Sequence, residues 1–149
     1  MIDVKNLGAE TKPRHILSLS GGKDSTALAL YMRDIVPDME YVFCDTGEEL
    51  QETYEYLDRI EANLDKPITR LNPERPFNHY LDVYRGVLPD PRTRWCTRML
   101  KLKPFEQHVG DDQVRLYVGL RADEPHRAAV ASGASCSSAD QWRPASAGS

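Results

Sequence analysis

The segment His15-Ile16-Leu17-Ser18-Leu19-Ser20-Gly21-Gly22-Lys23-Asp24-Ser25-Thr26 runs a short apolar strand straight into a glycine-rich turn and a helix start. Gly21 and Gly22 let the backbone turn sharply and come close to an anion, and the N–H groups that open the next helix have no partner within it. The segment therefore reads as a phosphate cradle. Lys23 adds a point charge, Ser20, Ser25 and Thr26 add hydroxyl donors, and Asp24 can hold a magnesium ion or tie the loop to itself. The plainer alternative is an αL turn between a strand and a helix, which gives no reason for strand, double glycine and helix start to fall in register.

A P-loop requires G-x-x-x-x-G-K-[ST]. Leu17 stands where its first glycine belongs and Asp24 follows Lys23, so this is a different phosphate loop. Further along, apolar runs and helical periods alternate. Residues 14–20 form the first strand, and 24–36 a helix whose Leu28, Tyr31, Met32 and Ile35 share a face until Pro37 stops it. Tyr41-Val42-Phe43-Cys44 is a buried-strand run that ends in Asp45-Thr46-Gly47. Thr46 to Glu49 has the form of a capping box, and Leu50, Tyr54, Leu57, Ile60 and Leu64 line the helix expected after it.

Residues 67–71 supply a third strand, 77–84 a short helix, and 114–118 another buried strand. A helix is expected from Thr97, interrupted by Pro104. This rhythm predicts an α/β fold, a parallel sheet with helices on both faces, whose ligands sit beyond the carboxyl ends of the strands. Three loops reach that edge: residues 20–26, Asp45-Thr46-Gly47, and Gly119 to Arg127.

A chain of 149 residues with net charge −4 suits one domain and argues against a generic nucleic-acid coat. No stretch is long and apolar enough for a membrane span, and the start lacks a signal-peptide order, so a cytoplasmic location is expected. Residues 1–13 read as a lead-in, 14–127 as the nucleotide-binding domain, and the Ala/Ser-rich 128–149 as a disordered tail. His15, His79, His108 and His126 make no metal-ligand spacing with each other or with Cys44, Cys96 and Cys136, so no structural metal is predicted.

Ser20-Gly21-Gly22-Lys23-Asp24-Ser25 matches S-G-G-x-D-S, and the segment resembles the PP-loop, or N-type ATP pyrophosphatase, superfamily. Together with Phe43-Cys44-Asp45-Thr46-Gly47, the following Glu52-Thr53-Tyr54, and Gly119-Leu120-Arg121-Ala122-Asp123-Glu124, it is similar to the phosphoadenosine phosphosulfate reductase family. Arg94-Trp95-Cys96-Thr97 with Leu100, Lys101 and Pro104 resembles a landmark of that family's phage and bacterial offshoots. The resemblance covers about residues 14–127.

It implies an adenine nucleotide alpha hydrolase-like, Rossmann-like fold with five parallel strands. The 20–26 loop would hold the phosphate or sulfate end of ATP or phosphoadenosine phosphosulfate, with Mg2+ accompanying ATP. Asp45, Thr46 and Gly47 would lie near the adenosine, and Arg121 and Arg127 would complete an anion site, as guanidinium forks suit tetrahedral anions. Asp123 and Glu124 have an alternative role as caps that hold the arginines. Lys23, Arg121 and Cys96 are the catalytic candidates. Cys96 stands between Arg94 and Arg98, a setting that favours attack on sulfur or its carriage, or else it is a small buried residue beside Trp95.

The departures are as informative. Reductases of the family carry a C-terminal Glu-Cys-Gly-x-His, whereas Cys136 is followed by Ser137-Ser138-Ala139. Three cysteines cannot supply an iron–sulfur cluster within one chain. Family sequences also continue with helical character where this chain turns to Ala and Ser, so a truncation or frameshift near residue 128 is expected. Arg94, Arg98 and Lys101 form an anion or nucleic-acid surface, a solvated face, or a lining of the nucleotide cleft. Three functions follow as expectations: adenylyl or sulfur-group transfer by an enzyme, ATP-dependent sulfur insertion into nucleic acid with a sulfur-carrier protein as partner, or a non-catalytic nucleotide-binding subunit. A homodimer is compatible with each.

Overall fold

The computed structural model describes residues 12–123. The chain divides after Gly119, and the second unit is described only over 120–123. In the first unit the order is β1 (Arg14–Leu19), α1 (Lys23–Met32), β2 (Glu40–Cys44), α2 (Gln51–Leu64), β3 (Ile68–Leu71) and α3 (Phe77–Val83). A helical stretch follows, made of α4 (Trp95–Thr97), a π-turn (Arg98–Leu102) and α5 (Lys103–Val109), and β4 (Val114–Val118) closes the set. The sheet order is β3-β2-β1-β4, parallel throughout.

Alternation along the strands sorts the two faces of the sheet. Leu17, Leu19, Tyr41 and Phe43 point one way and pack with Ala29 of α1 and Leu57, Ile60 and Leu64 of α2 in the main core. Glu40, Val42 and Cys44 point the other way. The Cys44 thiol donates to the Lys101 carbonyl at 3.6 Å and His108 pairs with Glu40 at 2.5 Å, so the 95–109 stretch covers this second face and runs antiparallel to β2. Leu116 and Val118 of β4 share that face with Ile16 and are exposed.

Several expectations are corrected. Among the described residues the sheet has four strands, not five, since 12–123 contain four apolar runs of strand type. Helix α1 ends at Met32, and Tyr31 and Ile35 are 71% and 54% exposed. Its buried residues are Ser25, Thr26 and Ala29, with Leu28 and Met32 packed at the margin, because the small first turn lies close to the sheet. The capping box does not cap: α2 starts at Gln51 behind Leu50, which is 72% exposed, and Thr46 bonds Glu49 in a turn of its own.

Pro104 does not break its helix either. It has no N–H to give to the carbonyl four residues back, and the preceding turn widens so that the Lys103 N–H reaches Arg98 O, an i→i−5 bond. The chain stays right-handed helical through Thr97, Arg98, Leu102 and Lys103. The predicted tail at 128–149, with Cys136, lies outside the described residues, as does the lead-in up to residue 11.

Candidate functional site

The register brings the loops together. Leu19 pairs with Phe43, Ser18 with Val118 and Cys44 with Leu71, so Ser20, Asp45 and Gly119 leave the sheet at one edge. Asp45 is drawn on by one more ladder bond, its N–H reaching Leu71 O at 2.8 Å.

Within the first loop, Gly21 takes φ +75°, a conformation that side chains rarely adopt. The first helical bond runs from Thr26 N–H to Gly22 O at 3.2 Å, which leaves the amides of 23–25 without a partner inside the helix. The hydroxyls have a different use from the expected one. Thr26 and Ser25 donate to Gly22 O at 2.9 and 3.1 Å, Ser20 N–H donates to Ser25 Oγ at 3.1 Å, and both helix residues are buried. They close the loop on itself, and the amides of 23–25 remain as the donors that the helix leaves without a partner. Lys23 is exposed and reaches Asp24 at 3.0 Å, an arrangement that keeps both charged groups at the loop mouth.

Gly119 has a steric role that its place in a motif did not suggest. A Cβ there would lie 2.7 Å from Ser25 N and Cα, so β4 exits directly against the first turn of α1. The second loop is built on Asp45: its Oδ1 accepts from Gly47 N–H at 2.9 Å and from the Tyr54 hydroxyl at 2.7 Å. Tyr54 is held from behind by Arg70, whose guanidinium carbon is 5.9 Å from the ring centre and which pairs with Asp58 at 2.5 Å. The bond to Asp45, with burial and the nearby carboxylates, pushes the Tyr54 hydroxyl up to about 12. Thr53 completes the junction, its Cγ2 2.8 Å from where a Gly21 Cβ would stand.

Lys101 lies level with Cys44, at the carboxyl end of β2. Arg94 and Arg98 precede it on the helical stretch, so the run from Lys101 to Arg94 extends roughly 10 Å beyond that edge. Arg94, Arg98 and Lys101 are exposed, and among the described residues none of them forms an ion pair. The loop before them is pinned by Asp90, whose Oδ1 accepts from Thr93 and Arg92 amides at 2.6 and 2.7 Å, bonds that hold its carboxyl below the usual range.

Cys96 is half-buried, packed against Tyr80, Trp95 and Leu100, with its sulfur 3.9 Å from Thr97 Oγ1. Cys44 is half-buried at the end of β2, and burial pushes its thiol up. Arg121 belongs to the second unit, where Asp123 accepts from Nε at 2.9 Å and from the terminal nitrogen at 2.5 Å. This is the holding role open to Asp123 in the sequence. Arg127 lies outside the described residues. Among those residues no cluster of three or more His, Cys, Asp or Glu gathers in a metal-binding arrangement, and no helix is long and apolar enough to cross a membrane.

The family model described as the phosphoadenosine phosphosulfate reductase domain matches residues 14–141, past the residue-127 limit of the motif resemblance. An adenosine 5'-phosphosulfate reductase of Staphylococcus haemolyticus is 33% identical over 115 residues, 76% of this chain and 47% of the relative. A nin region protein of Escherichia phage lambda is 32% identical, covering 76% of this chain and 50% of its own length. The chain spans about half the length of these two relatives. The fold is similar to that of crystalline phosphoadenylyl-sulfate reductase from Candida auris in a phosphate complex, with TM-score 0.56 and 14% identity over 74% of this chain and 56% of that one. Matched by the family model over most of its length, the chain belongs to the phosphoadenosine phosphosulfate reductase family.

Proposed function

We propose that this chain binds ATP or a sulfonucleotide such as phosphoadenosine phosphosulfate and serves adenylyl or sulfur-group transfer. One observation carries the reading: a glycine loop whose helix-opening amides have no partner in the helix and the Asp45-Thr46-Gly47 loop leave one sheet edge, joined by Thr53 and Tyr54. The amides of 23–25 and the Lys23 ammonium suit a tetrahedral dianion. With ATP as ligand, Mg2+ is held chiefly by the phosphates, and Asp24 is the carboxylate within the loop. Arg121 is carried into the anion site by family analogy. Its pairing with Asp123 supports a guanidinium held in a fixed orientation.

A thermal-shift titration with ATP plus magnesium, adenosine 5'-phosphate and phosphoadenosine phosphosulfate tests this, since a ligand that binds the folded chain raises Tm by mass action. Lys23→Ala should weaken the effective ligand about tenfold. A folded chain whose Tm moves with none of the three ends the proposal. Release of pyrophosphate or sulfite then separates an enzyme from a binding subunit. A second reading, with nucleic acid as acceptor, is favoured by the exposed Arg94, Arg98 and Lys101 at the rim of the same edge, which form no ion pair among the described residues.

A further inference from the structure

Tyr54 has no assigned role, yet its hydroxyl and the Gly47 amide both bond one oxygen of Asp45, Oδ1. Among the described residues Oδ2 accepts no bond. A carboxylate that is not otherwise restrained rotates about its Cβ–Cγ bond and exchanges its two oxygens; two donors on Oδ1 stop that exchange. The ring that delivers the hydroxyl is itself immobilised by Arg70 on one side and by its place in the first turn of α2. The neighbouring Thr53 abuts Gly21, so Tyr54 cannot shift without disturbing the phosphate loop.

We propose that Tyr54 is a positioning residue: it fixes the rotation of the Asp45 carboxylate so that Oδ2 remains free, at the edge beside the phosphate loop, to accept an O–H or N–H of the ligand's nucleoside part. The inference rests on the nucleotide-binding reading above. Ribose hydroxyls and an exocyclic amine share the required donor chemistry. The brace acts on the nucleoside contact, while the phosphate contact depends on the amides of 23–25, so the two should separate in experiment.

The test is calorimetric titration of the full chain with adenosine 5'-phosphate and with inorganic pyrophosphate, for wild type, Tyr54→Phe and Asp45→Asn. Tyr54→Phe is expected to weaken adenosine 5'-phosphate about five- to tenfold and to leave pyrophosphate within about twofold. Asp45→Asn keeps the acceptor for Tyr54 but loses the charged free oxygen, and should show the same selective loss even where Tyr54→Phe fails to fold. A purely structural role would weaken both ligands together, and equal affinities in variant and wild type would leave Tyr54 without a role; either result overturns the inference. Wild type that binds pyrophosphate but no adenosine 5'-phosphate also overturns it. Wild type that binds neither ligand overturns the nucleotide reading itself, and this inference with it. Repeating the series with inosine 5'-phosphate and a 2',3'-dideoxy analogue identifies the donor: the Tyr54→Phe effect should vanish with the analogue that lacks it, and persistence with both would overturn the donor assignment.

Discussion

Three glycines around the phosphate loop face different obstacles. A methyl on Gly119 meets the backbone of Ser25 at 2.7 Å and of Asp24 at 2.9 Å, and none of the three atoms it touches can move without shifting the first turn of α1. Gly119→Ala should therefore destabilise by about 1–3 kcal/mol, and should weaken phosphate binding because the free amides move with that turn. Gly21→Ala meets Thr53 Cγ2, a side-chain methyl, and adds the strain of φ +75°, together on the order of 1–2 kcal/mol. Gly22 has φ −97° and its nearest contact at 3.4 Å, so Gly22→Ala should be nearly silent in stability. Urea midpoints should rank the variants in that order, and a Gly119→Ala midpoint equal to that of Gly22→Ala would refute the packing argument. Tyr54 makes a pH prediction at the same scale. Its folded value of about 12 lies above the ordinary 10, so the neutral phenol stabilises fully below pH 10 and that contribution is lost as pH rises through 12. Tyr54→Phe should flatten part of the alkaline fall in stability; Tyr41, raised by burial, keeps its own share.

Elements were legible where one apolar pattern decided them. All four strands sit where short apolar runs were read, and Leu57, Ile60 and Leu64 bury the face expected of α2. Helix α1 misled because its innermost turn buries Ser25 and Thr26, whose hydroxyls are satisfied by the loop and carry no hydrophobic period. The loops of the candidate site were legible where a motif is local, as in residues 20–26 and 45–47. The Tyr54 brace was not, since its partner lies nine residues back across a turn. Nor was the cluster at the opposite ends of the strands, where Arg14 of β1 pairs with Glu40 of β2 at 2.8 Å and with Asp112 at 2.8 Å, and His108 of α5 joins Glu40. These four residues span 98 positions of sequence. Burial pushes Glu40 up, but the bonds from Arg14 and His108 outweigh it and hold the carboxyl below its usual 4.5. The contribution is present above that value and is lost as pH falls through the folded one. Glu40→Gln should cost about 1 kcal/mol at pH 7 and converge with wild type as pH falls through the folded value; a constant difference across the acid range would sink the assignment.

Among the described residues two apolar clusters of unequal weight form. Leu57 is fully buried in the main core with Leu17, Leu19, Tyr41 and Phe43, so Leu57→Ala should lower global stability by about 2–5 kcal/mol in one cooperative transition. The smaller cluster joins Tyr80 of α3 to Trp95 and Leu100, with Tyr84 stacked on Trp95 at 5.3 Å. Trp95 also donates through Nε1 to Val87 O at 3.0 Å, which secures the loop ahead of Arg94. None of these contacts involves the β1–β2 pairing that frames the phosphate loop. Tyr80→Ala should consequently open α3 and the start of the 95–109 stretch locally, with faster amide exchange there and unchanged protection in β2. The functional consequence divides along the same line. If the exposed Arg94, Arg98 and Lys101 serve a nucleic acid, Tyr80→Ala should weaken binding of a single-stranded oligonucleotide at low salt while nucleotide affinity stays close to wild type. Equal loss of both would mean that the rim and the phosphate loop fold as one unit, and that the two readings of this edge cannot be separated by its cores.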